Sequence, residues 1–129
     1  SLGDLRLPVF AVGTQKDHVT PWHSAYKVHS LTRSDVTFVL TSGGHNAGIV
    51  SEPGHAHRTY QLLHTPLSAE STAPDIWQRR APQFTGSWWP AWHEWLRSHG
   101  GVHVAAREIS PVDVLEPAPG SYVQVRYGD

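Results

Sequence analysis

An aspartate and a histidine, Asp17 and His45, each follow a short apolar stretch of the sequence, in the segments QKDHVTPW and SGGHNAG. Residues 7–13 and 34–41, which precede them, have the β-branched and aromatic composition of buried strands. A carboxylate that accepts a hydrogen bond from one histidine ring nitrogen fixes the tautomer and stabilises the imidazolium. The two residues are therefore candidates for the acid and base of a nucleophile–histidine–acid triad. On spacing alone, residues that only shape turns are an equally good interpretation.

The segment between the two apolar stretches predicts how Asp17 and His45 come together. Residues 20–32 have rough helical periodicity, with Thr20 as the N-cap and Pro21 at the first helical position. Strand, helix and strand within about 35 residues form a βαβ unit, whose parallel strands end at the same edge of the sheet. With neighbouring strands about 4.8 Å apart, an Asp17 carboxylate oxygen is expected within about 3.5 Å of a His45 ring nitrogen. The sequence thus predicts an α/β fold.

The rest of the chain gives weaker patterns, apart from one tryptophan-rich helix. Residues 51–80 are rich in Pro, Gly, Ser and His, with a short helix expected at 74–80. Residues 86–101 predict a helix that Ser87 caps and two glycines end. Its apolar stripe at helical spacing favours packing against a core, although contact with a polymer is an alternative: Trp88, Trp92 and Trp95. A last strand is expected at 122–125.

The composition bounds the protein class. At 129 residues and 14.3 kDa, the chain is expected to form a single domain. A formal charge of −1 and a pI near 6.8 give no electrostatic reason to expect nucleic acid or an anionic membrane as partner. No apolar run reaches the roughly 18 residues of a membrane span, and no signal peptide pattern is present. An intracellular protein is therefore expected.

The nucleophile of the candidate triad has no match in this sequence. In α/β-hydrolase folds the chain order is nucleophile, acid, histidine, so the nucleophile is expected before Ser1. No GxSxG or GxCxG segment occurs, and the chain has no cysteine, so any thiolate must come from outside it. The order predicts that residues 1–129 are the C-terminal fragment of a larger catalytic domain.

Four segments of the chain resemble the C-terminal part of the polyhydroxyalkanoate synthases: PVFAVGTQKDHVTPWHSAY, FVLTSGGHNAGIV, GSWWPAWHEWL and PAPGSYV. The similarity runs from about Leu5 to Val125, and the pair DHxxPW and GHxAG is specific to it. The resemblance implies the C-terminal portion of an α/β-hydrolase fold, in which Asp17 is the triad acid and His45 the general base. The family's nucleophile is a cysteine in a lipase-like turn, which no residue here matches.

The same resemblance implies an acyltransferase that polymerises (R)-3-hydroxyacyl-CoA to polyester and releases CoA. The CoA thioester is the substrate, so no cofactor is expected, and the spacing of His55 and His57 suits no common metal site. The expected partners are (R)-3-hydroxyacyl-CoA, the growing polyester and further copies of the chain in a homo-oligomer, with no nucleic acid. The expected location is the cytoplasm, at the surface of polyester granules. The fragment alone is expected to be inactive.

Three residues near the pair are candidates for substrate binding: His18, Trp22 and Asn46. A surface histidine and a core tryptophan are equally good interpretations of the first two, and a role in shaping the turn is favoured for Asn46. Two other functions stay open for the whole chain. One is an esterase or polyester depolymerase with a serine nucleophile; the other is a non-catalytic module that binds polymer or protein through its tryptophans.

Overall fold

Four strands form the centre of the structure, a computed structural model that describes residues 1–70, 72–126 and 128. The strands are β1 (Val9–Thr14), β2 (Val36–Thr41), β3 (Thr59–Thr65) and β4 (Gln83–Thr85). They lie in the order β1-β2-β3-β4, with β1 parallel to β2 and the other neighbouring pairs antiparallel. The α-helices are α1 (Trp22–Tyr26), α2 (Val28–Leu31), α3 (Pro74–Arg80) and α4 (Trp89–His99). The fold is α/β with a mixed sheet.

The parallel pair predicted from the two apolar stretches is confirmed. Val9 of β1 pairs with Val36 of β2, and Thr14 pairs with Thr41, so the two strands run side by side and end together. All six residues of β2 are buried, since the strand lies between β1 and β3 and an aromatic core packs on one of its faces. The strands begin about two residues later than predicted, at Val9 and Val36.

The connection between β1 and β2 is two short helices rather than the single helix predicted. Pro21 has an extended ψ of 133° and stands as the N-cap, so the predicted cap residue, Thr20, lies outside the helix. The reason is local, since the Thr20 N–H donates instead to the carboxylate of Asp17. The N–H of Lys27 donates to the carbonyl of Ser24, three residues earlier in the chain. This turn is tighter than a turn of α-helix, and it separates α1 from α2.

Two strands lie in a region where the sequence predicted no sheet. In β3 a polar residue, Gln61, faces the core, where its amide donates to the carbonyls of Gln78 at 2.6 Å and Ala81 at 2.9 Å. This polar side chain on the buried face interrupts the alternation by which strands are recognised. The second strand, β4, is only three residues long.

The prediction of a last strand at residues 122–125 is wrong. The structure has a single turn of 3₁₀ helix, Tyr122–Gln124, with Tyr122 and Val125 largely exposed. The N–H groups of Gln124 and Val125 donate to Ser121 and Tyr122 at 3.0 and 3.2 Å. Because these donors are satisfied locally and the side chains bury little apolar area, nothing draws the segment into the sheet.

Helices α1, α2 and α3 cover one face of the sheet with an aromatic core. Phe38, at the centre of β2, is fully buried and contacts Trp77 of α3 edge-on, with ring centroids 5.1 Å apart. Trp22 and Tyr26 of α1 complete the cluster. Burying aromatic side chains of this size supplies much of the stabilisation of a small domain. This core holds the crossover that follows Asp17 against the sheet.

The tryptophan-rich helix lies on the other face. Phe10 of β1 packs against Trp88 and Trp95, with ring centroids 6.2 and 5.5 Å apart. Trp88 is 6% exposed, whereas Trp92 is 40% exposed. The packing role predicted for the stripe is therefore confirmed for Trp88 and Trp95, and Trp92 lies at its margin. Among the described residues, no helix combines the length and apolar character that crossing a membrane requires.

Strand β1 is an edge strand of the described sheet. An edge with unpaired backbone groups is a template for pairing with another chain. The homo-oligomer expected from the sequence thus stays a prediction.

Candidate active site

The loops that follow β1 and β2 leave the sheet together. Beyond the end of β1, the N–H of Gln15 donates to the carbonyl of Thr41, and the N–H of Lys16 donates to the carbonyl of Gly43, both at 2.9 Å. The parallel pairing therefore continues from the strands into the first residues of the loops. Asp17 is the next residue of the first loop, and His45 comes two residues beyond Gly43 in the second.

The predicted contact between Asp17 and His45 is confirmed. Oδ2 of Asp17 lies 2.8 Å from Nδ1 of His45, inside the predicted limit. The Asp17 side chain is 8% exposed and that of His45 is 47% exposed. An ionised carboxylate can only accept, so we assign the hydrogen to Nδ1, which leaves Nε2 as the acceptor nitrogen. This geometry suits a histidine that takes a proton at Nε2 while the carboxylate stabilises the resulting cation.

Backbone donors hold the Asp17 carboxylate in place. Its Oδ1 accepts hydrogen bonds from the N–H of Val19 at 2.9 Å and of Thr20 at 2.7 Å. The hydroxyl of Thr14 lies 3.4 Å from Oδ2, beside the His45 contact. One oxygen is thus fixed by the backbone of its own turn and the other is directed at the histidine. Sequence reasoning did not find these supporting residues, although an Asp that precedes polar turn residues is a known signal for such a turn.

These contacts lower the pKa of Asp17 from its ordinary value of 3.8 to about 2. The largest cause is the hydrogen bond from the Thr20 N–H, with further contributions from His45 and Val19, while partial burial acts in the opposite direction. Because the folded state depresses this pKa, the stability that the carboxylate contributes is fully present above pH 3.8 and is lost as the pH falls through about 2.

We expect the Asp17 carboxyl group to titrate with a midpoint near pH 2 in the folded protein. The measurement is the ¹³C chemical shift of its carboxyl carbon as a function of pH. A midpoint near 4 for Asp17 would show that the backbone and His45 do not hold it.

The turn that carries His45 depends on close backbone approach. The N–H of Gly48 donates to the carbonyl of Gly44 at 2.9 Å, and Gly43 has a φ of 108°, which favours glycine. A Cβ on Gly48 would lie 2.5 Å from Cγ2 of Thr14, a buried and conformationally stiff side chain. The glycines on either side of His45 therefore let its turn pack against the end of β1.

The three residues predicted to bind substrate lie in different settings. His18 is exposed directly beside Asp17. Trp22 is 6% exposed and packs within the aromatic core, so the alternative interpretation, a core tryptophan, describes its position. The backbone carbonyl of Asn46 accepts the N–H groups of Ile49 at 3.0 Å and Val50 at 2.9 Å, and the residue is exposed beside His45. Their contact with substrate stays a prediction.

Two further histidines, His55 and His64, contact polar side chains close to them in the fold. Nδ1 of His55 lies 3.0 Å from Oε1 of Glu52, three residues earlier in the same loop. Nδ1 of His64 lies 3.2 Å from the hydroxyl of Thr37 on the neighbouring strand. Each is thus engaged in a separate local contact.

Comparison with known proteins identifies relatives for nearly the whole chain. It is 37% identical over 127 residues to the poly(3-hydroxyalkanoate) polymerase subunit PhaC of Rhizobium meliloti. The aligned region covers 98% of this chain and 20% of that protein. It is 36% identical over 128 residues to poly(3-hydroxyalkanoate) polymerase 2 of Ectopseudomonas oleovorans, covering 97% and 22%. The subunit PhaC of Cupriavidus necator is 32% identical over 132 residues, covering 97% and 21%.

No protein-family model matches the chain. The chain spans about one fifth of the length of the curated relatives that it matches. Within that span the similarity includes both loops of the Asp17–His45 pair, since nearly all of the chain is covered. This homology confirms the resemblance described above: nearly the whole chain is similar to one part of the poly(3-hydroxyalkanoate) polymerases.

Proposed function

We propose that this chain supplies the acid and the base of the catalytic triad of an acyltransferase that polymerises (R)-3-hydroxyacyl-CoA. The observation that carries the proposal is the 2.8 Å contact between Asp17 and His45, at the end of two parallel strands. Its relatives support the reaction class, because they are named poly(3-hydroxyalkanoate) polymerases. The proposal includes an α/β-hydrolase-type catalytic domain of which this chain is one part.

The proposed nucleophile is a cysteine outside this chain, which itself contains none. We call the protein that joins this chain to that cysteine the complete polymerase. Nε2 of His45 takes the thiol proton, and the thiolate attacks the thioester carbonyl of the acyl-CoA. The bond between the acyl carbon and the CoA sulfur breaks, CoA leaves with the proton from the imidazolium, and the acyl group stays on the cysteine as a thioester.

Chain growth uses the same nitrogen a second time. Nε2 removes the proton from the 3-hydroxyl of an incoming monomer, and the oxygen attacks the acyl thioester on the cysteine. One ester bond forms, the cysteine–acyl bond breaks, and the proton returns to the cysteine sulfur. His45 is suited to both steps because 47% of its side chain is exposed while Nδ1 is engaged by Asp17.

Asp17 holds the imidazole ready for both proton transfers. With its pKa near 2, it stays ionised throughout the neutral range, so it stabilises the imidazolium without taking its proton. His18 beside Asp17 and Asn46 beside His45 are both exposed, so both are substrate-binding candidates for the acyl-CoA. Trp22 contributes by packing the crossover that follows Asp17. Action at polyester granules in the cytoplasm is part of the proposal.

Release of CoA from (R)-3-hydroxybutyryl-CoA tests the function. We expect the complete polymerase to release CoA and to form polyester, and the 129-residue chain alone to release none, because it lacks the thiol. Free thiol is followed with a chromogenic disulfide, and polymer is quantified in the same samples. Hydrolysis of the thioester to CoA and 3-hydroxybutyrate, without polymer, would favour the esterase instead. CoA release by the chain alone would contradict a nucleophile that lies outside it.

A further inference from the structure

The turn that carries His45 is fastened at its far end by two tryptophans at the start of α4. Nε1 of Trp88 donates to the carbonyl of Gly48 at 3.2 Å, and Nε1 of Trp89 donates to the carbonyl of Ile49 at 2.9 Å. Both are side-chain bonds to the backbone across 40 residues of sequence. Two consecutive indoles thus bind two consecutive carbonyls, which fixes the register between the helix start and the turn.

A serine next to the tryptophans makes a third contact of the same kind. The hydroxyl of Ser87 donates to the carbonyl of Ser51 and accepts the N–H of Trp89 at 3.0 Å. Ser51 is fully buried, and Ser87 is 8% exposed. Hydrogen bonds in such a setting are costly to break, because water cannot replace the lost partner. The segment Ser87–Trp89, which we call the SWW clamp, therefore holds the end of the turn at three points.

The same residues close the turn around His45. Gly48, whose carbonyl accepts from Trp88, donates its own N–H to Gly44 at 2.9 Å, and Ile49, bound by Trp89, donates to Asn46 at 3.0 Å. Gly44 and Asn46 flank His45 directly. A shift of the bound carbonyls is therefore transmitted to the histidine through single hydrogen bonds rather than through a flexible linker.

We propose that the SWW clamp is a positioning element for His45: its indole N–H groups fix the turn so that Nδ1 faces Asp17. The inference rests on the proposed function only for the claim that this orientation serves catalysis. Trp88 and Trp89 act through the turn and do not contact the reacting atoms. An indole suits this task because it combines a large apolar ring, which packs on Phe10 in the case of Trp88, with a single N–H donor.

Tryptophan-to-phenylalanine substitutions separate positioning from packing, because phenylalanine keeps an aromatic ring and removes the N–H. Trp89→Phe is the first variant, since Trp89 is only half-buried and its loss spares the core. Trp88→Phe follows. Trp92→Phe is the matched control: Trp92 lies on the same helix with its ring 5.8 Å from that of Trp88, and its indole makes no hydrogen bond to the described part of the turn.

The first readout is the His45 ring in the ¹⁵N-edited spectrum of the protein. The wild-type protein and Trp92→Phe should show one tautomer with the hydrogen on Nδ1. Trp89→Phe should show a mixed tautomer population while thermal unfolding stays cooperative. The second readout is kcat for CoA release by the complete polymerase, which should fall about tenfold to a hundredfold in Trp89→Phe with little change in KM.

The two readouts keep this inference apart from the proposed function. A wild-type His45 tautomer and kcat in both Trp89→Phe and Trp88→Phe would overturn the positioning role and leave the proposed function intact. An equal fall of kcat in Trp92→Phe would also overturn it, because the effect would then belong to helix packing. A shifted tautomer supports the positioning role even if His45→Ala keeps full turnover, a result that would instead overturn the proposed function.

Discussion

Replacing His45 by alanine should lower the rate of CoA release by the complete polymerase about 10⁴-fold or more. Alanine leaves the cysteine thiol and the 3-hydroxyl of the monomer without a base, so both half-reactions lose their proton acceptor. The fold should survive, because the His45 side chain is 47% exposed and the turn is closed by backbone hydrogen bonds. The measurement is kcat for thiol release from (R)-3-hydroxybutyryl-CoA.

His93→Ala is the control for the loss of a histidine as such, since His93 is exposed on α4. It should turn over at the wild-type rate. Turnover of His45→Ala within about tenfold of wild type would mean that this histidine is not the base.

Asp17→Asn should lower turnover by about 10³-fold to 10⁴-fold with the fold intact. The amide oxygen of asparagine still accepts the N–H groups of Val19 and Thr20, so the turn keeps its bonds. The substitution removes the negative charge that lies 2.8 Å from Nδ1 of His45. An amide NH₂ in that place donates to Nδ1, which moves the ring hydrogen to Nε2 and blocks the nitrogen that must accept a proton.

Asp35→Asn is the matched control. Asp35 also accepts a backbone N–H through one carboxylate oxygen, that of Leu67 at 2.8 Å, but it lies immediately before β2, at the other end of the strand from the His45 turn. Its replacement should leave kcat unchanged. A normal kcat for Asp17→Asn, with its circular dichroism spectrum also normal, would refute the role of the carboxylate.

The Asp17–His45 contact could be predicted because its determinants are local. Each residue follows an apolar run that forms a buried strand, and parallel strands bring their ends to one edge. The approach of the two loops then follows from the strand pairing, which continues into the loops through the N–H groups of Gln15 and Lys16. The same local signals located α3 at Pro74–Arg80.

The parts that could not be predicted depend on contacts distant in sequence. Strand β3 could not be predicted because Gln61, a polar residue, faces the core. Its burial costs little free energy because the carbonyls of Gln78 and Ala81 accept hydrogen bonds from its amide. The hydrogen bonds from Trp88 and Trp89 to the His45 turn join residues 40 positions apart, and no pattern within either segment predicts them. The helical spacing of the tryptophans predicted that their rings pack against the core, but it did not predict the hydrogen bonds that their N–H groups donate.

The most direct test of the acid–base pair combines Asp17→Asn and His45→Ala in one complete polymerase and compares its kcat with those of the single variants. If Asp17 acts only through the imidazole, removing it from a protein that already lacks His45 costs nothing further. We therefore predict that the double variant is no slower than His45→Ala alone. If instead the two losses multiply, Asp17 and His45 act independently, and the acid–base pair proposed here is contradicted.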